Sequence, residues 1–363
     1  MLENTPFSGP RLRATINILP DGRAKLDALA EAIRQADAAD DPFWRLSFRW
    51  EYASQAAFHD DPPKAMPVAA EFAAIYDAYP DALGSYGPRG YVILALMGLN
   101  PVQSLPQIPL AEYDTLLERF RALTRRFGVG EQNYWWELFN RWFYIDQTQA
   151  LDCLQSAWQA PEDEISDCMA CMHARGALLY LRLGDRAKAD EYAKPLITYE
   201  IEPCESSFQS LWLAYLEDAL DRGDLDEAAP LAEKLACKGN RDRRDLSYVS
   251  GVLRCWSFTD PNRALSLFSR RLVWTFGMWD QKSLYDFYKA AWICFQQTAR
   301  RREQVTLDLP EDFPLYQKAG QYVASVLADW FHQQAAEIGT RFDQRNQADF
   351  FARDLAAAAG SLH

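Results

Sequence analysis

Four alanines set the frame within which this chain can fold, because each stands at a fixed place after a tight turn. LRLGDRAKADEYAKPL turns at Gly184-Asp185 and has Ala189 five residues after the glycine, and LDRGDLDEAAPLAEKL turns at Gly223-Asp224 and has Ala228 at the same offset. SFTDPNRALSLFSRRL turns at Asp260-Pro261 with Ala264 in the equivalent place, and upstream YIDQTQALDCLQSAW carries Ala150. The four are spaced by 39, 39 and 36 residues, Ala111 in PQIPLAEYDTLLERF precedes Ala150 by another 39, and Ala65 in HDDPPKAMPVAAEF marks a candidate first unit. A period of this size is the signature of a supersecondary unit that buries its apolar face only by stacking on copies of itself.

Between the turns, apolar residues recur at helical spacing, as in Leu178, Tyr180 and Leu181 before Gly184. Sustained two-residue alternation is absent, so any strand would be short, with Ala14 to Leu19 the one candidate near the start. The repeat resembles the tetratricopeptide (TPR) family, whose unit is a helix-turn-helix with a small residue early in the second helix, where the two helices touch. Matching the alanines to that pattern places Trp212 at the family's tryptophan position, Tyr180 at its first aromatic and Phe268 at its second-helix aromatic. The chain departs from the pattern at Ala193 and Ala232, which replace that second-helix aromatic. Its longer period is taken up in polar connectors such as APEDEISD, EIEPCESS and KGNRDRRD. The resemblance implies an all-α fold, an α-solenoid of TPR-like antiparallel helix pairs over 61–275, clearest over 131–275. Non-repeat helices would cap it over 1–60 and 276–363, with helices near Asp21–Ala39, Leu315–Ile338 and Gln344–Ala359. PEDFP, at Pro310–Pro314, reads as a joint.

Charge narrows the partners. The 363 residues carry a formal charge of −13, which both nucleic acid and anionic membranes repel. That charge is concentrated: residues 146–233 hold 19 acidic and 6 basic side chains, leaving 32 of each sign elsewhere. A protein with a basic surface is the partner such a segment would steer, with an effect that weakens as salt is added. The opening Met-Leu-Glu-Asn-Thr-Pro has neither the basic nor the apolar region of a secretory signal. The longest apolar run, Tyr91–Leu99, falls well short of the roughly 20 residues that span a bilayer. With seven scattered cysteines, these features lead us to expect a cytoplasmic, reduced protein.

No motif for catalysis emerges. The four histidines, His59, His173, His332 and His363, form no HExxH pair, and there is no Gly-x-Ser-x-Gly elbow. The glycine-rich GSYGPRG, Gly84–Gly90, lacks the Walker lysine and reads as an interhelical loop. CMACMH places Cys168 and Cys171 at a spacing common in zinc and redox sites. The completions at Cys153 and Cys204 lie in other helices, so both thiols are read as small core residues, with no metal or cofactor expected. The aromatic run YWWELFNRWFYI, Tyr134–Ile145, reads chiefly as core.

In TPR proteins the first helices of successive units line a groove that faces the ligand. Carried over by the alanine register, those positions hold Trp135, Phe139 and Trp142, then Leu178 and Leu181, then Leu213, Glu217 and Asp221, then Val249, Leu253 and Trp256. A register error of one residue would turn any of them into core. The expectation is a non-enzymatic, bacterial-type repeat protein that binds a basic partner in this groove and on an acidic face around Glu200, Glu202 and Glu205, as an immunity protein neutralising a basic toxin would. The alternatives are a regulator that senses a peptide or small ligand among the Trp135–Tyr144 rings, and a metal or thiol enzyme at Cys168 and Cys171. Oligomeric state is left open.

Overall fold

The computed structural model describes residues 7–59, 61–238 and 241–360, and among these the protein is helical almost throughout. Contacts divide the chain into two compact units, one formed by the stretch up to Gln103 with Ile108–Arg141 and Gln155–Ser166, the other by Ser104–Gln107, Trp142–Leu154 and the stretch from Asp167 onward. The division therefore falls inside the 61–275 span expected to be one array.

The first unit contains α1 (Gly9–Asn17), α2 (Arg23–Ala38), α3 (Pro42–His59), α4 (Ala65–Ala78), α5 (Gly87–Leu99), α6 (Leu110–Phe127) and nearly all of α7 (Glu131–Trp142). Each of α1 to α5 packs on the next, as does α5 on α6. The run Ala14–Leu19, considered as a strand, instead closes α1. Pro10 in the first turn presets the helical φ, and Ile16 is the side chain that the helix buries. Gly84–Gly90 forms a short 3₁₀ turn and the first residues of α5, with no strand before it. The buried Arg49 of α3 binds Asp37 of α2 at 2.8 Å and Glu71 of α4 at 3.0 Å, joining three helices by one guanidinium.

In the second unit, α8 (Gln147–Gln159) begins, and its residues through Leu154 belong here. There follow α9 (Met169–Arg182), α10 (Arg186–Ile197), α11 (Glu205–Asp221), α12 (Leu225–Lys238), α13 (Leu246–Thr259), α14 (Pro261–Arg271) and α15 (Gln281–Ala299). A two-stranded antiparallel ribbon, β1 (Gln304–Thr306) with β2 (Gln321–Val323), pairs Val305 with Tyr322, and α16 (Ala324–Asn346) and α17 (Phe350–Gly360) close the fold. Residues 315–323 are thus loop and strand rather than the start of a helix, because Val305 and Tyr322 turn one face of the ribbon into the core. PEDFP lies between the strands and is anchored by the buried Phe313, whose ring stacks on that of Phe331.

The repeat has a physical basis that can be followed atom by atom. Asp185, Asp224 and Asp260 cap α10, α12 and α14, each accepting a hydrogen bond from the backbone N–H three residues on, and Asp146 caps α8 in the same way. Gly184 and Gly223 both take φ +74°, the left-handed turn that ends the preceding helix. One turn after each cap come Ala150, Ala189, Ala228 and Ala264, all with 0% exposure. A side chain larger than a methyl there would push the paired helices apart. Ala65 is equally buried, whereas Ala111 is exposed on α6 and marks no such contact. Within this unit α9 packs on α10 and α11, α11 on α12 and α13, and α13 on α14 and α15, while α15 packs on α16. The α15–α16 pair continues the pattern past residue 275 although its sequence lacks the turn-and-alanine signature.

Candidate functional site

The first helices of these pairs, α9, α11, α13 and α15, together with α17 and Gln147 of α8, line one cavity of about 420 Å³ in the second unit. Its walls are unusually charged. Helix α15 explains how: it is apolar around most of its circumference, as a helix enclosed by neighbours must be, but Lys282, Asp286 and Lys289 fall at i, i+4 and i+7 on one stripe. That stripe faces the cavity.

Most of the charges there satisfy one another. Lys282 Nζ donates to both oxygens of Asp286 at 2.7 and 2.6 Å, and Lys289 Nζ donates to Asp354 of α17 at 2.7 Å. Arg254 of α13, 6% exposed, donates to Asp221 at 2.6 Å, although its Nε is buried without a hydrogen-bond partner. Burial alone would lower the pKa of Lys282, but the combined attraction of Asp286, Tyr144 and Glu217 outweighs it and holds the ammonium above the usual lysine range. Burial would likewise raise Asp354, yet the charge and hydrogen bond of Lys289, helped by the Tyr285 hydroxyl, hold its carboxyl below the usual range.

Two groups stand apart. Glu217, one turn before the C-terminal end of α11, has neither a hydrogen bond nor an ion pair among the described residues. Burial, reinforced by the neighbouring Asp286 carboxylate, raises its pKa despite the surrounding Lys282, Lys289 and Arg182. Arg182 of α9 has a buried Nη1 without a hydrogen-bond partner. Its guanidinium is instead enclosed by the rings of Phe143, Tyr144 and Phe350 at 4.4, 5.3 and 5.2 Å. The cavity is thus lined by one carboxylate without a hydrogen bond among the described residues, while the unpartnered Nη1 of Arg182 is buried.

The residues expected at a partner surface are distributed unevenly. Leu178, Leu181, Glu217 and Asp221 line the cavity. Phe139, Leu253, Val249 and Trp256 do not reach a surface: they are 3, 0, 1 and 7% exposed and belong to the core, because the inward face of each first helix is broader than the register allowed. Leu213 packs against Gly251 of α13, and Trp135 packs in the first unit beneath the Arg121 guanidinium. Trp142, at the end of α7, is half-buried. Trp135 and Phe139 lie in a different compact unit from the other expected positions. Tyr134, Trp136 and Phe143 of the aromatic run are also core. Sequence reading missed Arg182, Lys282, Asp286, Lys289 and Asp354, and the available signal was the charged stripe at 282, 286 and 289 within an otherwise apolar helix.

Glu200 and Glu202 are exposed, as expected of an acidic face, while the side chain of Glu205 lies outside the described residues. Glu200 and Glu202 follow Tyr199 in sequence, and Tyr199, 72% exposed, meets Phe208 in a largely apolar depression where Phe208 stacks on Trp212. Nearby acids are partly neutralised within the fold: Arg186 pairs with Asp218 and Glu227, Arg222 with the same two, and Arg263 with Glu233.

The CxxC thiols are not core residues. Cys168 is exposed and caps α9, Cys171 is half-buried one turn later, and Cys204 stands beside them at the first position before α11. Burial would raise the Cys204 thiol, but hydrogen bonds from Ser206, Cys171 and Ser207 bring it down to about 6. Among the described residues no helix is long and apolar enough to cross a membrane. Neither the protein-family models nor the curated proteins compared with this chain gave a match.

Proposed function

We propose that this chain is a non-enzymatic, protein-binding α-solenoid of TPR-like helix pairs, and that a basic segment of its partner enters the cavity lined by α9, α11, α13, α15 and α17. The observation that carries this reading is Glu217. In a cavity where Asp221, Asp286 and Asp354 each form an ion pair, Glu217 forms none among the described residues, although Lys282, Lys289 and Arg182 lie near it. An arginine or lysine side chain from a partner would supply the direct hydrogen-bonded cation that these neighbours do not, and its hydrogen bonds there would be charge-assisted. The exposed Glu200 and Glu202, with the aromatic depression at Tyr199 and Trp212, support a second point of contact of the kind that forms an interface core with a polar rim. Neutralisation of a basic toxin is one role that such a binder would serve.

The test is capture from the native cell by the immobilised chain, with the bound proteins identified by mass spectrometry at low and high salt. A partner retained by the wild type and lost on Glu217→Lys, with retention that falls as salt rises, supports the reading. A captured set unchanged by Glu217→Lys in a variant with wild-type thermal stability removes the cavity from the interface.

A further inference from the structure

We propose that Cys168, Cys171 and Cys204 form a thiolate site for a zinc-class cation that ties the N-terminus of α9 to that of α11. Their three sulfur atoms all lie within 4.8 Å of one another, and Cys171 Sγ and Cys204 Sγ are 3.3 Å apart. A tetrahedral zinc with bonds of about 2.3 Å to sulfur separates its ligand sulfurs by about 3.8 Å. The one pair at 3.3 Å and the upper limit of 4.8 Å on the others place the three sulfurs at separations close to that value.

The fold brings the thiols together by a route that sequence spacing does not reveal. Cys168 occupies the cap position and Cys171 the third position of α9, so both project from its first turn, and the Cys171 N–H already donates to Cys168 Sγ at 3.4 Å. Cys204 occupies the cap position of α11, the first helix of the next pair, which packs directly on α9. Two helix N-termini therefore converge on the cluster, and their positive ends favour the net negative charge of three thiolates around a divalent cation. A fourth position is open to solvent beside the exposed Cys168. Ser206 Oγ stands 3.3 Å from Cys204 Sγ and 3.8 Å from Cys171 Sγ, within reach of the same place. His173, although it follows Cys171 closely in sequence, is not among the side chains that converge with the three sulfurs. Three protein ligands with an accessible fourth position describe an exchangeable site rather than a closed structural one.

The experiment uses the full chain, reduced and freed of metal, then loaded with Zn(II) and desalted for elemental analysis. A parallel Co(II) titration is followed by its thiolate charge-transfer absorption. One Zn(II) per chain is expected. The single variants Cys168→Ser, Cys171→Ser and Cys204→Ser should each weaken binding by more than the roughly tenfold that loss of an outer-shell partner costs, and Cys237→Ser, an exposed cysteine outside the cluster, should leave it unchanged. Zinc should also raise the melting temperature of the wild type and not that of Cys204→Ser, with circular dichroism confirming that the variant is folded. No retained metal under reducing conditions overturns the proposal, and so does binding that survives in folded Cys204→Ser. A Cys171–Cys204 disulfide as the only chemistry the cluster supports overturns it as well.

Discussion

The Tyr285 hydroxyl donates to Asp354 Oδ2 at 2.6 Å, and the Lys289 ammonium donates to the same oxygen at 2.7 Å, so a single carboxylate oxygen pins α17 to α15. Lys289 has a side-chain exposure of only 12% and cannot recover this partner from water without moving. Asp354→Asn should therefore lower the unfolding free energy by about 2 kcal/mol, as loss of a charged hydrogen-bond partner does. Arg353→Ala, which removes an ion pair with 72% exposure on both sides, should change nothing measurable. Because the folded-state pKa of Asp354 is depressed, its contribution is complete above the ordinary carboxylate value of about 4 and is lost as pH falls through the folded value. Urea unfolding at pH 7 and pH 3 should show the gap between wild type and Asp354→Asn narrowing in acid.

Glu217 has the opposite sign. Its folded pKa is raised, so the favourable contribution is present below the unfolded value of about 4 and disappears as pH rises through the folded one. A raised folded pKa makes the glutamate less favourable to the fold at pH 7 than in acid, so Glu217→Gln should be at least as stable as wild type at pH 7 while conferring no advantage near pH 4. A variant clearly less stable at pH 7 would show that Glu217 is an internal structural anion, and a partner's cation would then have no vacancy to fill.

The helix pairs should tolerate no enlargement at the alanine. Ala228→Leu should cost about 1–3 kcal/mol by overpacking. The same change at Ala111, which shares the spacing but is exposed, should stay within about 0.5 kcal/mol of wild type. Denaturant midpoints for the two variants, measured side by side, distinguish a packing repeat from a coincidence of spacing.

Two glycines test different constraints. Gly223 sits at φ +74° with no atom within 4 Å of an added Cβ, so Gly223→Ala should cost only the left-handed backbone strain, about 1 kcal/mol. At Gly176 an added Cβ would stand 2.2 Å from the Tyr192 ring, which packs between α9 and α10. Gly176→Ala should therefore be the more damaging of the two, read as a larger fall in melting temperature.

The charged cavity was only partly legible from sequence, for a reason visible in its residues. Glu217 and Asp221 fall on a helix that carries the repeat signature, and the register placed both at a ligand-facing position. Lys282, Lys289 and Asp354 stand on α15 and α17, which lack the turn-and-alanine mark and read as caps, so nothing in the chain aligned them with Glu217. The same register put Leu253 and Trp256 on a surface, since a period fixes which residues are equivalent but not how far around the helix the buried arc extends.

The local rules were set by the sequence alone. Left-handed glycines followed by capping aspartates stop and restart the helices, and a methyl one turn later sets the distance at which two helices can pack, all within a dozen residues of chain. The meeting of Cys204 with Cys168 and Cys171, and of Asp354 with Lys289 and Tyr285, was decided by tertiary structure. Those contacts depend on the stacking of separate helix pairs, whose side chains are dozens of residues apart and share no local pattern that would bring them into register.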